Sequence, residues 1–116
     1  MTYINISWDD FEKMVNSITD RIQHIEIKFN GIYGLPRGGL PLAVCLSHKL
    51  KLPMLLHPTE ETLVVDDISD TGNALSNVKN KMIATLFSTD WTTSPPDFYC
   101  DEKEDVNDWI VFPWEK

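Results

Sequence analysis

Apolar positions Phe11, Met14, Val15, Ile18 and Ile22 recur at helical spacing. They follow Ser7-Trp8-Asp9-Asp10, in which Ser7 is a capping residue and the acidic side chain three positions on reaches back toward it. This predicts an amphipathic first helix. Gly31-Ile32-Tyr33-Gly34-Leu35 then reads as a short strand and Pro36-Arg37-Gly38-Gly39 as a turn. Leu40 to Leu50 reads as a helix with Leu42, Ala43, Cys45 and Leu46 facing inward. Pro53 to Leu56 predicts another short strand, and His57 to Glu61 a connection. Thr62-Leu63-Val64-Val65 is apolar on both faces, as in the middle of a parallel sheet, which implies helices on both sides. A turn over Asp66 to Gly72 leads into a helical pattern through Ala74, Leu75 and Val78, and Met82 to Phe87 is the next strand. Beyond Thr89 the reading is a loop at Thr92-Thr93-Ser94-Pro95-Pro96, an edge strand over Asp97 to Cys100, an acidic turn over Asp101 to Asp108 and an aromatic tail over Trp109 to Trp114. The alternation predicts an α/β fold with an open, mainly parallel sheet flanked by helices, residues 1–116 forming one domain. Ligands of such a sheet bind at the carboxyl ends of its strands.

The charge balance narrows the partners. Ten Lys and Arg against eighteen Asp and Glu give a net charge of −8, which argues against a nonspecific nucleic-acid binder or a binder of anionic membranes. The apolar runs fall far short of the roughly 20 residues that cross a bilayer, and no basic and apolar leader follows Met1, so the expectation is a cytoplasmic protein. Cys45 and Cys100 have no second thiol nearby in sequence and read as reduced. His24, His48 and His57 lack the spacing that brings two imidazoles onto one helical face for zinc.

Two turns carry the chemistry, each directly after a strand and before a helix. In Asp66-Asp67-Ile68-Ser69-Asp70-Thr71-Gly72-Asn73-Ala74, backbone N–H groups and the positive end of a helix suit a phosphate, and the acidic pair suits hydroxyls or Mg²⁺. Neighbouring strand residues face opposite ways, so Asp66 and Asp67 serve one ligand only where the strand ends and the chain turns over it. Taken singly, the second turn reads equally well as a strand end with a capped helix, and Arg37-Gly38-Gly39 as a plain turn with a solvated arginine.

Together, the two turns are identified as those of a known family. Leu63 to Leu75, an apolar strand, two acids, a short linker and Asp-Thr-Gly, resembles the signature by which type I phosphoribosyltransferases bind 5-phosphoribosyl-1-pyrophosphate (PRPP). Pro36-Arg37-Gly38-Gly39-Leu40 resembles the family's pyrophosphate loop. The ending Asp108-Trp109-Ile110-Val111-Phe112-Pro113-Trp114 and the opening Tyr3-Ile4-Asn5-Ile6-Ser7-Trp8 are similar to those of the bacterial xanthine-guanine phosphoribosyltransferases. The resemblance implies that Asp66 and Asp67 contact the ribose hydroxyls and organise Mg²⁺, and that Asp70 lies near N7 of the purine as the proton-transfer group. It implies that Thr71, Gly72, Asn73 and Ala74 enclose the 5′-phosphate and that Arg37 and the amide of Gly38 meet the pyrophosphate. Trp109 would stack on the base and Ile110 would offer backbone groups to its edge; Trp114, a large aromatic of the short tail, reads on its own as a packing residue. Breaking a C1–pyrophosphate bond independently asks for cation help and fixed N–H donors.

The chain departs from that family in three places. Only about six residues, His57 to Thr62, stand where active relatives carry a long lid. Ser88-Thr89-Asp90 stands where the purine-specific subfamily places a lysine that reads the 6-oxo group, and Asn73-Ala74 stands where relatives carry Gly and a hydroxyl residue. The first reading is a Mg²⁺-dependent purine phosphoribosyltransferase acting on an oxopurine, its lid supplied by a neighbouring subunit of a homo-oligomer or replaced by the Trp91 to Pro96 loop. The second is a module that binds a nucleotide or PRPP without turnover. A third, a Mg²⁺-dependent phosphatase or receiver-like domain, fits the spacing of Asp66, Asp67 and Asp70 less well. Asp101, Glu102, Glu104 and Asp105 read as a solvated turn.

Overall fold

Ser7 opens the first helix as its sequence dictates. Its hydroxyl accepts the Asp10 N–H at 3.0 Å and the Asp10 carboxylate accepts the Ser7 N–H at 3.0 Å, so α1 (Trp8–Gln23) starts from a closed capping box. Phe11, Met14, Val15, Ile18 and Ile22 are all buried, the face that the spacing predicts. The structure, a computed structural model, describes residues 1–78 and 82–116. Its further elements are β1 (Thr2–Asn5), β2 (Gly31–Gly34), α2 (Leu40–Leu50), β3 (Thr62–Ser69), α3 (Asn73–Ser76), β4 (Met82–Ser88), β5 (Asp101–Glu102) and β6 (Asp108–Val111). A 3₁₀ turn over Pro113–Glu115 follows.

The fold is α/β with a mainly parallel sheet, as the alternation of patterns implies. The strand order is β2-β3-β4-β5, every pairing parallel, and β1 pairs with β6 in a separate parallel ribbon that brings the N-terminal segment beside the aromatic tail. α1 and α2 cover one face, where Ile18, Leu42, Leu46, Ile32, Leu63, Val65 and Leu86 form the main core. Among the described residues the other face holds a small cluster of Val64, Leu75 and Ile83 under α3. Helices therefore do flank both faces, but unequally.

Several boundaries differ from the sequence reading. β3 does not end at Val65 but runs through both acidic residues to Ser69, held by pairing with β4 through Ile68↔Phe87 and Ser69↔Ser88. The helix expected through Val78 is the single turn α3. The strand expected over Pro53 to Leu56 is reduced to one bridge, Ile32↔Met54. The edge strand expected over Asp97 to Cys100 is a bridge at Phe98, and the strand itself forms slightly later as β5. Cys45 is only half-buried on α2, and both cysteines are free. Among the described residues no helix is long and apolar enough to cross a membrane.

Candidate functional site

The carboxyl ends of β2, β3 and β4 bring the sequence-predicted residues to one side of the sheet. The turn after β2 lies against the end of β3: the Leu35 N–H donates to the Val65 carbonyl at 2.9 Å, and the Gly39 N–H to the Leu35 carbonyl at 2.8 Å. The Pro36–Arg37 peptide within it is cis. Gly38 is a glycine because a Cβ there would run into the Asp67 carboxylate. This contact seats the first glycine turn directly on the acidic pair. Arg37 is exposed and has no ion-pair partner among the described residues; it lines a cavity of about 500 Å³ with Gly38, Trp114 and Glu115.

Asp66 and Asp67 continue β3 rather than end it, so the strand end that the sequence reading required for the pair to serve one ligand is absent; of the two, Asp67 lines the cavity shared with Asp70. The Asp66 carboxylate accepts the Asp67 N–H and the Asp67 carboxylate the Ile68 N–H, each at 2.8 Å, where the paired register with β4 passes from Asp66 to Ile68. Both residues are half-buried, and neither has a cationic partner among the described residues. Burial, and then the neighbouring charge of Asp67, push Asp66 up to about 7. Burial also raises Asp67, and the charge of Glu115, carried in by the 3₁₀ turn, adds to the effect. No cluster of three or more metal-ligating side chains exists among the described residues. Two crowded carboxylates with no positive partner nonetheless fit Mg²⁺, which takes one or two protein carboxylates and completes its shell with water and phosphate oxygens.

The second glycine turn is built by contacts from across the sheet. Gly72 has φ +92°, and a Cβ on it would lie 2.6 Å from the Ser94 backbone nitrogen and 2.6 Å from the Thr93 hydroxyl, so only glycine meets both conditions. The Thr93 N–H and hydroxyl donate to the Thr71 carbonyl, each at 3.0 Å, and the Ser94 hydroxyl donates to the Gly72 carbonyl at 2.8 Å. Thus the Trp91 to Pro96 loop braces the turn from behind its carbonyls. Thr71, Asn73 and Ala74 are exposed beside a concavity of about 110 Å³. Because α3 is one turn long, little helix dipole stands behind this turn, and local N–H groups are what it offers an anion.

Asp70 lies at the centre of contacts that the sequence conceals. Its carboxylate accepts from the Lys103 ammonium at 2.7 Å and from the Trp91 indole N–H at 3.0 Å, and its backbone carbonyl accepts from the Thr89 hydroxyl at 2.6 Å. Lys103 is 7 % exposed, unlike its acidic neighbours Asp101, Glu102, Glu104 and Asp105, which are exposed as expected. Asp67, Asp70, Lys103, Trp109, Ile110 and Glu115 are among the residues that line one cavity of about 130 Å³. Trp109 is 57 % exposed there, whereas Ile110 is buried in the core. Trp114 is structural: its ring stacks on Phe112 at 5.0 Å and meets Phe11 edge-on at 5.1 Å. Lys103, Trp91 and Glu115 are the residues that sequence reasoning missed. An isolated lysine in an acidic stretch was the only available signal.

The segment before β3 is short and tied down. Asn30 donates to the Thr59 hydroxyl at 2.8 Å and accepts from the Thr62 hydroxyl at 2.8 Å, and the Thr59 N–H donates to the Thr62 hydroxyl at 2.9 Å. Between this segment and α3 an open cavity of about 610 Å³ is lined by Tyr33, Leu35, Pro58, Thr59, Ala74 and Val78.

No family model matches the chain. The xanthine-guanine phosphoribosyltransferase of Idiomarina loihiensis is 25% identical to it over 95% of this chain and 85% of that protein. The crystal structure of a purine phosphoribosyltransferase from Pyrococcus horikoshii is 28% identical, with a TM-score of 0.85 over 100% of this chain and 95% of the other. The Helicobacter pylori xanthine-guanine-hypoxanthine phosphoribosyltransferase is 23% identical, with a TM-score of 0.80 over 97% and 93% of the two chains, and this likeness is one of fold.

Proposed function

From a chain that is a shortened relative of the type I phosphoribosyltransferases, we propose a purine phosphoribosyltransferase that moves phosphoribose from PRPP to an oxopurine with Mg²⁺. The observation that carries this reading is convergence: both glycine turns, the acidic pair and the cavity between Asp70 and Trp109 meet at the carboxyl ends of adjacent parallel strands. In this reading Thr71, Gly72, Asn73 and Ala74 hold the 5′-phosphate, and Arg37 and the Gly38 amide meet the pyrophosphate. Trp109 supplies an exposed face for the base, and Ile110 offers it backbone groups.

Asp66 and Asp67 would hold Mg²⁺ and the ribose hydroxyls. When bound, the cation supplies charge neutralisation for the leaving pyrophosphate. The bond from C1 to the pyrophosphate oxygen breaks with its electron pair leaving on pyrophosphate, a base nitrogen forms the new bond to C1, and the base gives up a proton. In this reading Asp70, beside the cavity and ion-paired with Lys103, takes that proton.

A second reading, binding of the same ligands without turnover, is favoured by the short segment around Thr59, which leaves the front of the site uncovered. Pyrophosphate release from PRPP and Mg²⁺, measured with guanine, xanthine, hypoxanthine or adenine added in turn, separates the two. Base-dependent release is expected. Tight PRPP binding with no release on any base moves the assignment to the binding module, and no binding at all removes the phosphoribosyl site.

A further inference from the structure

A buried lysine needs a reason, because its charged form loses solvation and lysines are almost never fully buried unless paired. Lys103 is fixed from both ends. Its N–H donates to the Ser88 carbonyl at 2.9 Å, continuing the β4–β5 pairing, and its ammonium meets the Asp70 carboxylate at 2.7 Å, 5.9 Å from the centre of the Trp91 ring. An ammonium has three N–H donors and no acceptor. Among the described residues its only hydrogen bond goes to Asp70, so two donors remain for whatever enters the cavity it lines with Trp109 and Ile68.

The segment directly after β4 supplies no such group. Thr89 is buried with its hydroxyl committed to the Asp70 carbonyl, and Asp90 is exposed and anionic. We propose that Lys103, reaching the cavity from the far end of β5, is the specificity-determining residue that reads the 6-position of the purine. This rests on the phosphoribosyltransferase reading of the same site. A 6-oxopurine presents the O6 acceptor at that edge, which a free donor of Lys103 satisfies. A 6-aminopurine presents N–H groups at the same place and leaves donors facing donors. Asp70 orients the lysine and balances its charge, so the base meets a fixed ion pair.

Titration calorimetry of the full chain with inosine monophosphate, adenosine monophosphate and ribose 5-phosphate tests this, since the last shares only the sugar phosphate. The wild type is expected to favour the 6-oxo nucleotide by about tenfold or more. In Lys103→Met that preference falls to near parity while ribose 5-phosphate affinity is unchanged. Lys103→Arg, which keeps charge and donors, retains most of the preference. Lys103→Gln, whose amide can still bond Asp70, stands in should the methionine variant fail to fold, and it too is expected to lose most of the preference. An undiminished preference in both neutral variants overturns the role of Lys103 and leaves the pocket standing. Equal loss of all three ligands marks a structural lysine and overturns it as well. A wild type that binds none of the three overturns the underlying reading of the site, and the inference with it.

Discussion

Asp66 sits where burial and a second carboxylate both disfavour its charge, and this links the site to stability. Its pKa in the folded chain, about 7, lies above the unfolded value of 3.8. The protonated form therefore favours the fold: the contribution is fully present below the unfolded value and is lost as pH rises through about 7. Asp66→Asn, neutral at every pH, is expected in chelator to be more stable than wild type at pH 8 by about 1–2 kcal/mol, allowing for solvent screening and coupling to Asp67. Urea denaturation at a series of pH values checks this; a difference that does not shrink toward acid pH contradicts it. A paired comparison concerns the two tryptophans of the tail. Trp109→Ala should change stability by no more than about 0.5 kcal/mol yet weaken nucleotide binding, because its ring is mostly in solvent. Trp114→Ala should cost about 2–4 kcal/mol, because its ring is packed against Phe11 and Phe112. Thermal melts and calorimetry on both variants would read the contrast, and equal stability losses would contradict it.

At the level of elements, legibility followed how local each cause was. The first helix was fully readable because its cap, first-turn acid and apolar face all lie within one stretch of chain. Ser7→Ala is expected to destabilise by about 1 kcal/mol in chemical denaturation, and no loss would mean that packing alone sets the start of α1. Hydrogen bonds from Ser7 hold Asp10 below its ordinary value, so the box's stabilisation is present above pH 3.8 and lost as pH falls through the depressed value. β3 was underestimated because Asp66, Asp67 and Ser69 look like a turn, while the pairing that keeps them extended comes from β4. α3 was overestimated because Ala74, Leu75 and Val78 keep helical spacing beyond the single turn that forms. Both glycine turns were legible as motifs, but the reason for Gly72 was not: Thr93 and Ser94, which press on it, lie more than twenty positions away. Lys103 was the least legible residue of the site. Its local sequence is that of a solvated acidic turn, and only the approach of β5 to β4 carries its ammonium to Asp70.

For the whole molecule, the governing feature is an open front. In a phosphoribosyl transfer the sugar centre becomes strongly electrophilic, and a closed lid decides whether a base or water reaches it. Here the connection before β3 is bonded to Asn30 by Thr59 and Thr62, and the Trp91 to Pro96 loop is occupied in bracing the second glycine turn. Neither element is free to fold over the cavity without breaking those bonds. If the chain turns over, water is expected to compete with the base, so PRPP and Mg²⁺ should yield ribose 5-phosphate when the base is omitted, at a rate within about tenfold of nucleotide formation. The base should suppress hydrolysis as it fills the space beside Trp109, and Trp109→Ala should shift the product ratio toward ribose 5-phosphate. Separating the two sugar products by ion-exchange chromatography reads the partition directly. Nucleotide formation with no detectable hydrolysis would mean that some part of the assembled protein closes the site, and the open front would no longer describe the working state.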